Sequence, residues 1–248
     1  NVKSNLAISK TPEIEKFFVC GAGTDETLPI GACYNFAAMS NISPKPLTDL
    51  YLGDEASYAF DELEQNAGLS VSDFTSTDQI LGQILDNKII GVCRGRMEMG
   101  QRALGNRSIL ADPRRADMKD ILNAKIKHRE SFRPFAPSIM DEFTSEYFEI
   151  DIPSPYMLMV APVKKPDVIP AVTHVDGTGR LQTVSKESNK LYYNLINEFY
   201  KITGVPVIIN TSMNVMGEPI VNTLEQAYSM IVKTDMDCLV MGNNLVRK

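Results

Sequence analysis

Apolar residues recur along the chain in two spacings, one typical of helices and one of short buried strands. In TSTDQILGQILDNK, residues 75–88, four apolar side chains lie on one helix face and Thr77 can cap the first turn. Further helices are predicted over residues 30–39, 58–65, 116–129, 188–201 and 223–232. Short apolar runs predict strands over residues 15–20, 89–93, 108–112, 136–140, 157–160, 171–174, 181–184 and 203–210, with a final hairpin formed by 238–242 and 244–248.

Helices and strands mix here without strict alternation. This order predicts an α/β (mixed) protein, in which helices pack on a twisted mixed β-sheet. Residues 41–49, with two prolines among polar neighbours, are the best candidate for a boundary between units. At 248 residues and 44% hydrophobic content, the chain can bury a substantial core.

The cellular setting follows from what the sequence does not contain. No apolar run approaches the roughly 20 residues needed to cross a bilayer. Four dispersed cysteines without a C-x-x-C pair favour reduced thiols over disulfides or a zinc knuckle. We therefore expect a cytoplasmic protein without a membrane partner. Because the first residue is Asn1 and the opening reads as mid-domain sequence, we also expect a piece of a longer protein.

Charge changes this picture, because it is distributed unevenly. The chain has a net charge of −6, yet RGRMEMGQRALGNRSILADPRR, residues 94–115, holds six arginines and no lysine. An acidic chain argues against broad nucleic-acid binding. A local group of arginines suits a confined anion site, because each guanidinium presents a planar fork of donors that matches a phosphate or carboxylate.

Glycines alternate with these arginines and would let main-chain N–H groups approach a ligand closely. The pattern predicts a phosphate cradle formed by Arg96, Arg102 and Arg107 with Gly95, Gly100 and Gly105. Glu98, among these cations, is either a structural partner of an arginine or a ligand of a metal or ribose. The usual G-x-x-x-x-G-K-[ST] and G-x-G-x-x-G phosphate loops do not occur, so the predicted site is of another kind.

Two further segments carry candidate site residues. KIKHRESFRPFAP, residues 125–137, places Lys127, Arg129 and Arg133 at the end of a helix, where they either complement the helix dipole or join the anion site, with Phe132 and Phe135 as a wall. In NTSMN, a polar loop follows a buried strand, which suits ligand binding or a simple turn. Its candidate residues are Asn210, Thr211, Ser212 and Asn214.

RGRMEMGQRALGNRSILADPR, FRPFAP and NTSMN, in this order, resemble the C-terminal half of the NodU/CmcH carbamoyltransferases. That family attaches carbamoyl groups to hydroxyls of small molecules such as antibiotics and Nod factors. The resemblance covers nearly the whole chain. It implies a remnant of an actin/sugar-kinase-like domain over residues 1–45, a connecting segment over 46–75 and a YrdC-like domain over 76–248.

The resemblance also implies roles for single residues. Lys127-x-Arg129 and Ser212-x-Asn214 are similar to the K-x-R and S-x-N of YrdC-like domains, and GTGRLQTV, residues 177–184, implies roles for Arg180 and Gln182. His174 is either a catalytic base or, as we favour, a structural or ligand-orienting residue.

One implied metal site concerns the N-terminal segment. GAGTDETLPIGA, residues 21–32, resembles a kinase-like segment in which Asp25 would hold Fe²⁺ or another divalent metal, although Thr27 and Pro29 depart from that pattern. The family's two metal-binding histidines are absent from this chain. Asp25 is therefore expected to be a ligand only in a full-length protein.

The implied activity is the formation of carbamoyl-adenylate from ATP and carbamoyl phosphate, with Mg²⁺, for transfer to a hydroxyl acceptor. Arg96, Arg102, Lys127 and Arg129 are expected to hold phosphoryl oxygens as catalytic residues. Glu98, Gly105, Arg107, Arg133, His174, Arg180, Gln182 and the NTSMN loop are expected to bind substrate, with Ser212 and Asn214 on the α-phosphate or Mg²⁺. The chain alone is expected not to complete the final transfer.

Three alternatives stay open at this point. They are threonylcarbamoyl-adenylate synthesis, double-stranded RNA binding, and nucleotide binding without catalysis. The overall acidity of the chain opposes RNA binding, which needs an extended basic face.

Overall fold

The described residues, 1–55 and 68–248 of a computed structural model, contain ten strands and seven α-helices. The strands are β1 (Ser70–Asp73), β2 (Ile90–Cys93), β3 (Arg107–Ala111), β4 (Ala136–Met140), β5 (Ala161–Pro162), β6 (Thr178–Gly179), β7 (Gln182–Val184), β8 (Val207–Ser212), β9 (Cys238–Met241) and β10 (Asn244–Arg247). The helices are α1 (Val2–Ser9), α2 (Leu28–Met39), α3 (Asp78–Leu85), α4 (Met118–Leu122), α5 (Thr144–Tyr147), α6 (Lys190–Thr203) and α7 (Leu224–Lys233).

Eight of the strands form one mixed sheet in the order β1-β10-β9-β2-β3-β8-β4-β7. The pairs β2–β9 and β4–β7 are parallel and the other neighbours are antiparallel. Strands β5 and β6 pair separately. The expected class, a mixed α/β protein with helices packed on a mixed sheet, is confirmed.

The centre of the sheet is buried on both faces. Every residue of β2, β3, β4 and β9 is buried, which explains why these strands are nearly continuous apolar runs in the sequence. Helices α3, α6 and α7 each cover the sheet with one apolar face and leave the opposite face in solvent. The strand ends that carry the candidate site are therefore held by a rigid core.

Helix α4 leads directly to a candidate site residue. It continues into a π-helical turn, Asn123–Lys127, which ends at His128 in the left-handed conformation with a φ of 48°. The turn buries Lys127, whereas a regular helix would advance the chain differently and leave its C-terminal lysines at the surface.

Three predicted strands are wrong. Residues 15–20 form no regular structure, and Phe18 in this segment is 82% exposed. Pro170–Val172 is a 3₁₀ turn rather than part of a strand, because a proline at its start offers no N–H to a ladder. Residues 157–160 are mostly buried without pairing, and the short β5 begins only after them.

The remaining element predictions hold within a few residues, with two exceptions. The first exception is a group of elements that were not predicted: β1, α1, α5 and the short strands β5 and β6. The helix predicted over 58–65 lies outside the described residues. The kinase-like origin of residues 1–45 stays a prediction, although this segment contacts the rest of the chain: Asn5 Nδ2 donates to the carbonyl of Leu158 at 2.8 Å. Within residues 1–55 and 68–248, no helix combines the length and apolar character that a membrane span requires.

Gly105, a predicted substrate-binding residue, is constrained by packing. Its φ is +119°, and a Cβ there would lie 2.6 Å from the ring of Tyr192. We expect Gly105→Ala to lower the free energy of unfolding by about 2–3 kcal/mol through clash and backbone strain. The matched control is Gly82→Ala in α3, where a Cβ meets nothing within 4 Å and the free energy should rise by about 1 kcal/mol. Urea unfolding measures both, and equal effects of the two substitutions would contradict the packing argument.

Candidate anion-binding site

A buried carboxylate shapes the loop that carries most of the predicted site. Glu98 is 3% exposed, and its Oε1 accepts the main-chain N–H groups of Leu104, Asn106 and Arg107 at 2.6, 2.7 and 3.2 Å. Burial raises the pKa of Glu98, while these N–H donors oppose the shift. Glu98 thus holds the main chain of residues 98–107. Its carboxylate contacts no guanidinium group of the described residues and is not a metal ligand.

Two of the predicted cradle arginines point elsewhere. Arg96 donates to the carbonyls of Leu52 and Gly53 at 2.8 and 3.1 Å and so holds the segment before β1. Arg107 is fully buried, and its Nη1 donates to the carbonyls of Arg94, Gly95 and Asn106 at 2.9–3.2 Å. Both guanidinium groups bind main chain, so the structure does not bring them into one pocket with the other candidates.

The glycines of the loop also act through packing. A Cβ on Gly100 would lie 2.4 Å from the Cβ of Ala22, and Gly100 has a φ of +97°. The N–H of Gly105 donates to Ser108 Oγ at 2.9 Å and is therefore not offered to a ligand. Gly100 and Gly105 are therefore required by close packing, whereas a Cβ on Gly95 would lie 3.4 Å from Asn106 Nδ2, an ordinary contact.

Three other arginines do meet, around one cavity of about 80 Å³. Arg102, Arg129 and Arg180 line it together with Phe135 and the last three residues of β8, Asn210, Thr211 and Ser212. Among the described residues, none of the three guanidinium groups has a carboxylate within ion-pair distance. We refer to this space as the arginine cavity.

Electrostatics in the arginine cavity are unbalanced. Burial, together with Arg102 and Arg129, lowers the pKa of Arg180 to about 10, and burial lowers the pKa of the other two arginines. All three still carry a positive charge at neutral pH. Three like charges around one cavity raise the electrostatic free energy of the folded protein unless an anion binds there. The geometry therefore favours an anionic ligand.

Arg129 is positioned by a residue that sequence reasoning missed. Asn123, 1% exposed, accepts Arg129 Nε on its Oδ1 at 2.7 Å and donates to the carbonyls of Ser131 and Arg133. The guanidinium carbon of Arg129 lies 4.9 Å from the ring centre of Phe135, which is a cation–π contact. Only the six-residue spacing of Asn123 and Arg129 across a helix end could have signalled this contact.

The two segments predicted to form K-x-R and S-x-N pairs lie in contact. Lys127 is 4% exposed, and its Nζ donates to the carbonyl of Ser212 at 2.5 Å and to the carbonyl and Oδ1 of Asn214 at 3.0 and 2.9 Å. Ser212 Oγ donates to Asn214 Oδ1 at 2.7 Å. The oxygens expected to bind the α-phosphate or Mg²⁺ therefore surround an ammonium group here.

The remaining predicted residues lie at the edge of the arginine cavity, outside it or buried beneath it. His174 is half-buried, its Nδ1 lies 3.1 Å from Thr178 Oγ1, and burial lowers its pKa; it does not line the arginine cavity. Arg133 is exposed and lies 3.9 Å from Glu130. Phe132 is 70% exposed, so of the two phenylalanines expected as a wall only Phe135 lines the cavity. Gln182 and the amide of Asn210 are buried beneath the loop.

The residues present do not form the implied metal site around Asp25. This exposed side chain belongs to a 3₁₀ turn, Asp25–Thr27. Nowhere in the described part of the chain do three His, Cys, Asp or Glu side chains gather as a metal would require. We assign no reaction step to a metal at Asp25.

A family comparison defines the class of protein, and the family that it gives is compatible with a cavity lined by arginines. The model of the family "Carbamoyltransferase C-terminus" matches residues 82–248, and the chain belongs to this family.

Particular relatives are nodulation proteins. NolO of Bradyrhizobium diazoefficiens is 43% identical over 246 residues, which cover 94% of this chain and 45% of NolO. NolNO of Sinorhizobium fredii is 51% identical over 170 residues, which cover 66% of this chain and 25% of NolNO. The chain thus spans less than half the length of either relative.

Among solved structures, a full-length HypF in its phosphate- and nucleotide-bound form aligns with a TM-score of 0.50 and 17% identity. The alignment covers 68% of this chain and 25% of HypF. At this identity the likeness concerns the fold alone.

We expect Lys127 to titrate near pH 7, because burial and the neighbouring Arg129 lower its pKa from about 10.4. Sulfate in the arginine cavity should raise this pKa, since an anion favours the charged ammonium. By linkage, sulfate should then bind more weakly as pH rises through 7. ¹³C NMR of the lysine ε-carbons measures the titration, with Lys127→Arg identifying the signal. A pKa near 10, or one that sulfate leaves unchanged, would contradict this electrostatic description.

Proposed function

We propose that this chain provides the site at which a carbamoyltransferase binds ATP and carbamoyl phosphate and forms carbamoyl-adenylate. In this proposal residues 76–248 are a YrdC-like domain of a cytoplasmic protein. The observation that carries it is the arginine cavity, in which Arg102, Arg129 and Arg180 converge without a carboxylate partner among the described residues. The family match supports carbamoyl transfer as the reaction type.

The chemistry explains why such a site needs positive charge. ATP and carbamoyl phosphate bring roughly six negative charges into one space, and their repulsion at contact distance amounts to kcal/mol per pair. Arginine side chains offset this repulsion and bind two phosphoryl oxygens each. The arginine cavity shares Arg102 and Arg180 with a neighbouring cavity of about 490 Å³, which gives the larger substrate room beside the cations.

The proposed reaction has two steps on these substrates. Water cleaves carbamoyl phosphate to carbamate and inorganic phosphate. A carbamate oxygen then attacks the α-phosphorus of ATP, and pyrophosphate leaves from the opposite side. The product is carbamoyl-adenylate, from which a hydroxyl of the acceptor takes the carbamoyl group and releases AMP and a proton.

The residues of this chain act by position and charge. Arg102, Arg129 and Arg180 hold phosphoryl oxygens and stabilise the negative charge that develops on the leaving pyrophosphate. Lys127 with Ser212 and Asn214 forms a wall of fixed polar groups behind them. Carbamate decomposes in water, so the buried ring of Phe135 contributes by excluding solvent. No protein nucleophile is needed in this scheme.

Mg²⁺ would accompany ATP in this proposal. The described structure supplies no carboxylate at the arginine cavity to hold it, and the oxygens of Ser212 and Asn214 accept from Lys127. We therefore place the ion on the substrate phosphates and assign it no residue.

Arginine substitutions test the proposal. Arg102→Ala and Arg180→Ala should each reduce ATP–pyrophosphate exchange that depends on carbamoyl phosphate by about 10²-fold or more, the typical loss of a group that stabilises developing charge. The matched control is Arg115→Ala in the same sequence stretch. Arg115 pairs with Asp117 at the surface, and its loss should change exchange less than about twofold. Equal losses in the three variants, or exchange supported by threonine and bicarbonate in place of carbamoyl phosphate, would contradict the proposal.

A further inference from the structure

Three buried side chains hold the main chain immediately after Arg102, together with Tyr51, whose Oη donates to the carbonyl of Leu104 at 2.9 Å. Gln182 Nε2 donates to the carbonyl of Leu104 at 3.1 Å, and Asn210 Nδ2 donates to the carbonyl of Ala103 at 3.2 Å. Glu98 Oε1 accepts the N–H of Leu104 at 2.6 Å. Both polar groups of Leu104 and the carbonyl of Ala103 are therefore fixed by side chains rather than by secondary structure. We call Glu98, Gln182 and Asn210 the loop clamp.

The loop clamp is anchored in the sheet. Gln182 begins β7 and Asn210 belongs to β8, and each of these strands flanks β4. Gln182 Oε1 accepts from Asn210 Nδ2 at 2.8 Å and from Ser138 Oγ of β4 at 2.7 Å. These side chains are at most 3% exposed. Among the described residues, Glu98 Oε2 and Asn210 Oδ1 accept no hydrogen bond, so the network is held by the contacts given above. These contacts link the position of three neighbouring strands to one loop.

Arg102 itself lacks any such support. Its side chain forms no hydrogen bond or ion pair with a described residue, although it lines the arginine cavity. The loop is held on its other side by a contact of Gln101 Nε2 with Thr24 Oγ1 at 3.3 Å. The place of the Arg102 guanidinium therefore depends on where its main chain is held, and a misplacement of about 1 Å can cost a reaction about 10²-fold.

We infer that Glu98 and Gln182 are positioning residues that act on the anion site through Arg102, with Asn210 linking them to the sheet. All three were expected to bind substrate, Gln182 because of the family resemblance, while a structural role of Glu98 was left open. Neither Glu98 nor Gln182 lines the arginine cavity, and their polar atoms face main-chain groups of residues 103–107. This inference rests on the proposed anion-binding function and deepens it.

A double-mutant cycle on binding of inorganic pyrophosphate, measured by calorimetry, separates positioning from direct contact. Gln182→Met keeps the size of the side chain and removes both its donor to Leu104 and the oxygen that accepts from Asn210 and Ser138. It should weaken pyrophosphate binding about tenfold, because a displaced Arg102 would lose one charge-assisted contact with the anion. Arg102→Ala should weaken binding at least as much. If Gln182 acts through Arg102, adding Gln182→Met to Arg102→Ala should weaken binding by no more than about twofold further.

Matched variants control for loss of stability and for loss of charge. Ser154 is a buried neighbour whose Oγ donates to the carbonyl of Leu181, so Ser154→Ala destabilises the same region without touching the loop clamp, and it should leave pyrophosphate affinity unchanged. Glu98→Gln keeps an oxygen acceptor for the three N–H groups and should retain most of the affinity. Glu98→Ala removes that acceptor and should lose about tenfold.

Two results of the binding experiment would overturn the inference. One is an unchanged affinity of the Gln182→Met variant for pyrophosphate. The other is a double variant in which the two losses of affinity multiply, which would mean that Gln182 contacts the anion directly. If the unsubstituted protein does not bind pyrophosphate, the proposed function fails, and hydrogen exchange decides the inference separately. Gln182→Met should speed exchange of the amides of Leu104, Asn106 and Arg107 while amides of β8 keep their protection, and unchanged exchange in the loop would refute the clamp.

Discussion

The structure around the candidate site depends on one constraint, which is the positive charge of a partly buried cavity that no carboxylate among the described residues balances. Like charges repel, and each guanidinium loses hydration on burial, so Arg102, Arg129 and Arg180 would move apart if their main chains could relax. The protein opposes this with a sheet whose central strands are buried on both faces and with polar contacts that fix each arginine's surroundings. Asn123 holds the side chain of Arg129, and the loop clamp holds the main chain beside Arg102.

The same principle explains which acidic residues occur nearby. A carboxylate facing the arginine cavity would neutralise it, and none lines it among the described residues. The acidic residues that lie near Arg102 in sequence have other partners. Glu98 accepts three N–H groups, Asp112 pairs with Arg114, and Asp117 pairs with Arg115. In this way an acidic chain keeps a positive site, because the negative charges near it in sequence are matched locally and the cavity cations are not.

The sequence indicated that cationic side chains would gather, but not which of its arginines would do so. The concentration of arginines in an acidic chain indicated an anion site, and the K-x-R and S-x-N segments do meet. Sequence spacing could not distinguish Arg102 from Arg96 and Arg107. Main-chain carbonyls more than 40 residues away accept from Arg96, and the fold of the loop turns Arg107 onto carbonyls of its own segment. The apolar runs that became β2 and β9 were predicted correctly, whereas the apolar run over residues 157–160 is mostly buried without pairing. The polar edge strand β1 was not predicted, since its pairing with β10 leaves no apolar pattern in Ser70–Asp73.

Glycine shows the same limit in another form. Its occurrence between arginines suggested a ligand approaching the main chain, yet Gly100 and Gly105 make room for Ala22 and Tyr192. Both explanations require the absence of a Cβ, and only the fold decides between them. A site that stores electrostatic repulsion is stabilised by the ligand that relieves it, because binding to the folded state alone adds to its free energy of unfolding. The close packing at these glycines holds the loop in place, and in the proposed function it would reduce the binding energy spent on ordering the loop.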